Sequence, residues 1–142
     1  MKSTKTKYEN NWEEKSLENL EKDFWSEATS DSRLVKTCHL LRKKTIKNFE
    51  IEDLRVMIGQ NIGLKFLIPS ALNKLTADIL AEGDYCKGDL LKSVLTIEAK
   101  FWTERPDLFN KLDKVIQDIS ELLNQHMPEL IRDFENQKTI IK

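Results

Sequence analysis

The sequence predicts an all-α fold, a compact single-domain bundle of about six or seven helices. Apolar residues recur at three- and four-residue spacing along most of the chain, and no segment alternates with period two for long. Glycines and prolines are few, four and three, while charged residues make up 33% of the chain, a balance that suits helices and disfavours a turn-rich β fold. The 142 residues suffice to bury one real core.

The centre of that core is expected in residues 53–80, DLRVMIGQNIGLKFLIPSALNKLTADIL. Leu54, Met57 and Ile58 fall on one helical face, and Ile68, Ala71, Leu72, Leu75 and Ile79 repeat the spacing after a break. Gly59, Asn61 and Gly63 supply the break, because Gly and Asn accept a positive φ. Pro69 fits the first turn of the second helix, where a missing N–H costs little.

Around this hairpin the chain divides into a disordered or loosely attached tail over 1–14, a helical body over 15–136 and a frayed end over 137–142. Trp12 is the one residue that argues against an unattached tail. Ser16 caps a first helix with Leu17, Leu20 and Phe24 on its apolar face, ending at Trp25. Asp31 or Ser32 caps a second helix that buries Leu34, Val35, Cys38 and Leu41, with Arg42, Lys43 and Lys44 in its last turn. Phe49 and Ile51 lead into the central hairpin, and Glu52 and Asp53 sit in its first turn. The loop AEGDYCKGD follows Leu80, and Gly88 or Asp89 caps the next helix, DLLKSVLTIEAKFW. Pro106 opens a long helix whose stripe runs through Leu108, Leu112, Val115, Ile119 and Leu122 or Leu123, and Pro128 stops or kinks it. The remaining PELIRDFENQKTIIK reads as a short helix with a loosely packed end.

Charge and motifs exclude several classes of function. The formal net charge of −1 argues against a general polyanion binder, though not against a local basic patch. No apolar run is long enough to span a bilayer, and the N-terminal stretch has no apolar core of a secretory signal. Two cysteines, Cys38 and Cys86, without an export signal point to reduced thiols in a cytoplasm. Cys38 and His39 are adjacent and diverge on a helix, while Cys86 and His126 stand alone, so no metal site and no cofactor are expected. No nucleophile elbow, phosphate loop or dinucleotide fingerprint occurs, and an enzyme is not expected. His39 reads as a structural histidine bonded to a neighbouring loop, and Cys38 as a small buried hydrophobe.

Two surface features invite a functional reading. Residues 33–47 carry six Lys or Arg and no acid. That stretch is either a solvated, dipole-compensating face or a phosphate-contacting patch of a nucleic-acid-binding or regulatory module. The loop 81–89 is acidic, and its Tyr85 has no apolar stripe to join, so it can anchor a partner. Its EGD and GD elements are equally good turn and cap chemistry. Trp25 and Trp102 read as core residues.

Several pieces together resemble the immunity proteins of bacterial contact-dependent growth inhibition systems. They are LENLEKDFW at 17–25, SRLVKTCHLLRKK at 32–44, EDLRVMIGQNIGLKFLIPSAL at 52–72, LAEGDYCKGDLLKSVL at 80–95 and FW at 101–102. The central segment and the EGD-to-GDLL loop are the most distinctive, and the last forty residues are not diagnostic. The resemblance implies a small cytoplasmic protein that binds the toxin domain at the C-terminal end of a large adhesin, often a nuclease. It neutralises that domain by tight, non-covalent, one-to-one occlusion, with no direct contact to nucleic acid or membrane. On that reading the toxin-binding candidates are Glu82, Asp84, Tyr85 and Asp89 of the loop, with Glu27 and Asp31. A rival surface is the acidic long helix with Asp113, Asp118 and Glu121.

Overall fold

The computed structural model describes residues 8, 10–29, 31–118, 125 and 128–141, with residues 130 and 137–141 described by backbone alone. Eight α-helices are found among them: α1 Leu17–Glu21, α2 Arg33–Leu41, α3 Ile51–Gly59, α4 Leu64–Ala77, α5 Asp89–Leu95, α6 Ala99–Glu104, α7 Pro106–Asp118 and α8 Pro128–Ile141. Short 3₁₀ turns cover Trp12–Glu14 and Ile46–Asn48, and the described residues contain no β-strand beyond an isolated bridge between Ser16 and Thr45. The fold is all-α, and the described residues alone hold one helix more than the upper expectation.

The predicted hairpin is the core. α4 buries Phe66, Leu67, Ile68, Ala71, Leu72 and Leu75, and it packs on α3, α5 and α7. Leu54, Met57 and Ile58 face it from α3. The chain reverses where Asn61 and Gly63 take φ of 59° and 66°, while Gly59 remains the last helical residue. A side chain at 63 would be excluded twice, by that φ and by Leu17, whose methyl carbon lies 2.7 Å from where a Cβ would stand.

Gly63 is the N-cap of α4, so the helix starts earlier than Pro69 indicates, and Pro69 lies in its interior. A proline there cannot donate to the carbonyl four residues back, which belongs to Lys65. The Tyr8 hydroxyl donates to that carbonyl at 2.8 Å and itself accepts from Arg105 Nη1 at 3.2 Å. Tyr8 also stacks on Trp12 at 4.9 Å between ring centroids, and both rings meet Phe66. A loosely attached tail over 1–14 therefore does not describe Tyr8 and Trp12, whose rings repair and cover the proline site. Tyr8→Phe is expected to cost about 1 kcal/mol, lowering the melting temperature by roughly 3 °C. In a Pro69→Ala background, where the helix supplies its own N–H, the same change should cost distinctly less; equal costs would remove this role.

Other departures from expectation have local causes. Ser16 caps α1 as expected, accepting from Asn19 N, but the helix ends at Glu21 because Lys22 turns left-handed at φ 55°. Phe24 is then outside the helix and 64% exposed. Trp25 is half-buried rather than core, with the Arg42 guanidinium 4.4 Å above its ring. Ser32 caps α2, whose Cys38 and Leu41 are buried, but Leu34 and Val35 are exposed. The stretch from Asp89 to Trp102 is two helices, separated where Thr96 Oγ1 donates to the Ser93 carbonyl and Ile97 folds into the core. The segment after Pro128 is a full helix, and Ile131 and Phe134 are buried beneath it. Trp102, Phe109 and Phe134 form a row of rings 5.8 and 5.4 Å apart. The expectations for Ile119, Leu122, Leu123 and His126 lie outside the described residues.

Candidate functional site: the 82–89 loop and its clamp

Two helices hold the loop between Ala81 and α5. Asp89, the first residue of α5, is 3% exposed and points its carboxylate back into the turn. Its Oδ1 accepts from Gly83 N at 2.7 Å, and Oδ2 accepts from Tyr85 N at 3.1 Å and Cys86 N at 3.4 Å. From α3, Glu52 Oε1 accepts from Asp84 N at 2.9 Å. Arg55, one turn on, grips the same carboxylate through Nε at 2.6 Å and through Nη2. The Arg55 guanidinium also lies 4.3 Å above the Tyr85 ring, and its Nε is 3.7 Å from Asp89. Gly83 is needed for this closeness, since a Cβ there would stand 2.6 Å from Glu52 Oε1.

The electrostatics follow from these contacts. The Arg55 hydrogen bonds, aided by the Asp84 N–H, hold the Glu52 carboxyl below the usual carboxylate range. The folded state therefore favours ionised Glu52, and this contribution is complete at neutral pH. The loop is braced, with the N–H groups of residues 83–86 accepted by Asp89 and Glu52 and its outer side chains left to solvent.

Glu82, Asp84 and Tyr85 are among those outer side chains, with Cys86 and Lys87, and Tyr85 is 78% exposed despite the cation beneath it. Asp89 is corrected: it is an interior turn acceptor, not a surface contact, as the turn-and-cap reading required. Glu27 and Asp31 are exposed on the segment between α1 and α2, but they do not join the loop in one cleft. Glu27 lines a groove of about 300 Å³ with Ala28, Lys36, His39 and Leu40, whereas Asp84 and Tyr85 line a cleft of about 450 Å³ with Arg33, Leu34 and Arg55. The two hollows lie on different flanks of α2. Of the rival acids on α7, Asp113 is buried and accepts from Gln117 Nε2 at 3.1 Å, Asp118 is exposed, and Glu121 lies outside the described residues.

Glu52 and Arg55 are the residues that sequence reading missed. The sequence reading places Glu52 only in the first turn of its helix, although the i, i+3 spacing to Arg55 is a signal for a pair. That the pair would hold a loop thirty residues away is not visible in the spacing.

The basic stretch is largely spoken for. Arg42 is 2% exposed, bonded to Glu21 Oε1 and the Asp23 carbonyl, each at 2.5 Å. Lys43, Lys44 and Lys47 pair with Glu18, Asp53 and Glu14 at 3.2, 2.6 and 3.3 Å. These residues follow α2 rather than ending it, and they tie it to α1, α3 and the first 3₁₀ turn. His39 Nδ1 lies 2.9 Å from the Ser26 carbonyl, the structural role expected of it. Cys38 is buried, and burial pushes its thiol pKa up. Among the described residues, no three His, Cys, Asp or Glu are grouped to hold a metal ion, and no helix is long and apolar enough to cross a membrane.

An all-α scaffold presenting a braced acidic and aromatic loop is the kind of surface that suits a protein-binding protein. The model of the CDI immunity protein family matches residues 19–112, and the chain belongs to that family. No curated protein and no solved structure matches it.

Proposed function

We propose that the chain binds and neutralises the toxin domain at the C-terminal end of a contact-dependent growth inhibition adhesin, and that the outer face of the 82–85 loop is part of the contact. Family membership supports the immunity role. The observation that carries the site is Tyr85, an exposed aromatic fixed over Arg55 on a loop with Glu82 and Asp84 beside it. Holding Tyr85 in place beforehand lowers the ordering cost of binding, and Tyr and Arg dominate interface hot spots. The acidic side chains complement the positive substrate cleft of a nuclease and would speed encounter at low salt. On this reading the protein acts in the cytoplasm, one copy to one toxin, by non-covalent occlusion and without catalysis.

Binding and growth rescue test the proposal. The chain should co-purify with the toxin domain encoded beside it and restore growth when both are expressed. Glu82→Ala, Asp84→Ala and Tyr85→Ala together should weaken binding about 100-fold, in line with loss of a central hot spot, while the melting temperature moves by no more than about 2 °C. Unchanged affinity would remove the loop from the contact, and absence of binding by the unaltered chain would sink the immunity reading.

A further inference from the structure

The loop is one wall of a cleft whose other wall is α2. Among the described residues five large apolar side chains are exposed: Phe24, Leu34, Val35 and Leu40 on or near α2, and Tyr85 on the loop. Leu34 and Tyr85 line the same cleft, of about 450 Å³, whereas Leu40 lines the groove on the other flank. Both walls are fixed in place. Tyr85 is braced by Arg55, and Leu34 stands in the first turn of a helix capped by Ser32.

The charges in the cleft are unequally matched. Glu52 is taken by Arg55 and Asp53 by Lys44. Arg33, beside Leu34, has no ion pair among the described residues, and Asp84 faces solvent on the loop. A ligand for this hollow therefore presents an apolar group to fill it, a negative charge to Arg33 at the α2 edge and a positive or hydrogen-bond-donating group to Asp84 on the loop. Its concavity suits a projecting segment rather than a flat face.

We propose that the toxin engages this cleft and not the loop alone: a projecting toxin segment inserts an apolar side chain between Leu34 and Tyr85 and sets a carboxylate against Arg33. The proposal rests on the immunity reading and adds the α2 wall to it. It makes Leu34 and Arg33 determinants of which toxin is recognised. Continuity with the braced Tyr85 favours the cleft over the Leu40 groove, where Lys36 is likewise without an ion pair among the described residues.

The test titrates a catalytically inactivated form of the neighbouring toxin domain against the full chain and its variants by calorimetry. Leu34→Glu, Arg33→Glu and Tyr85→Ala alter exposed or half-exposed positions, and unchanged melting temperatures verify that each folds. Each should weaken binding by about 30-fold or more, the loss expected for a hot-spot contact. The double variant Leu34→Glu/Tyr85→Ala should lose less than the product of the single losses, because both grip one group. Leu40→Glu, on the other flank, should bind as the unaltered chain does. If Tyr85→Ala weakens binding while Leu34→Glu and Arg33→Glu do not, the cleft is overturned and the loop reading survives. Weakening by Leu40→Glu alone would also overturn it, in favour of the other groove. So would a Leu34→Glu effect confined to splitting a self-dimer, seen by sedimentation with toxin affinity unchanged. No binding by the unaltered chain would overturn the cleft and the immunity reading together.

Discussion

Phe109→Ala is expected to destabilise the domain by about 3–5 kcal/mol, as fully buried aromatics do when truncated. The ring is 1% exposed, and its neighbours Trp102 and Phe134 come from α6 and α8. Their shapes depend on it, so the vacated volume cannot close without moving two helices. At roughly 3 °C per kcal/mol for a chain of this size, the melting temperature should fall by about 10 °C or more. Phe109→Leu, which keeps most of the volume, should cost distinctly less. Denaturant unfolding gives the values, and hydrogen exchange locates the effect. Residues 128–136 should lose protection first, because Phe134 is a main anchor of α8. A loss spread evenly over the whole chain would contradict that anchoring.

Asp89→Ala is expected to cost about 2–4 kcal/mol, because it strands backbone donors of a part-buried turn at once. Gly83 N and Tyr85 N lose acceptors at 2.7 and 3.1 Å. Arg55 retains Glu52, so the damage should centre on the loop rather than on α3. Asp89→Asn should be milder, since one carbonyl oxygen remains. Exchange protection over 83–86 reports the opening. Toxin binding should weaken in step with it, unlike the Asp84 and Tyr85 changes, which spare stability. Acid should loosen the same loop in the unaltered chain. The Glu52 pKa is depressed in the fold, so its contribution is whole above the ordinary carboxylate value of about 4.3 and is lost as pH falls through the lower folded value. A loop that opened already at pH 6 would point to a different group.

Much of the scaffold could be read from the sequence because its signals are local. The Ser16 and Ser32 caps, the α3 and α4 stripes and the reversal at Asn61 and Gly63 all follow from residue type and spacing. The misreadings share a cause, which is that tertiary partners override local preference. A left-handed lysine at 22 is not a recognisable stop signal, yet the strand of chain after it is fixed by Arg42. Pro69 marks a helix start by propensity and sits in a helix interior because a tyrosine sixty-one residues earlier completes its hydrogen bonding. On the loop, the lack of an apolar stripe around Tyr85 makes its exposure legible in the sequence. Asp89 reads in the sequence as either a turn acceptor or a contact, because acidity and exposure look the same there, and only the direction of its side chain separates the two.

The family likeness ends at residues 19 and 112, but the packing does not. Tyr8 and Trp12 cover Phe66 from one side of that span, and Phe134 covers Phe109 from the other. A fragment trimmed to the shared segment would bring two sticky aromatic faces into water and leave a helix carbonyl without its donor. For expression, tagging or grafting, a piece that keeps Tyr8, Trp12 and Phe134 is therefore expected to be more stable than the shared segment alone, because these outer rings act as its waterproofing.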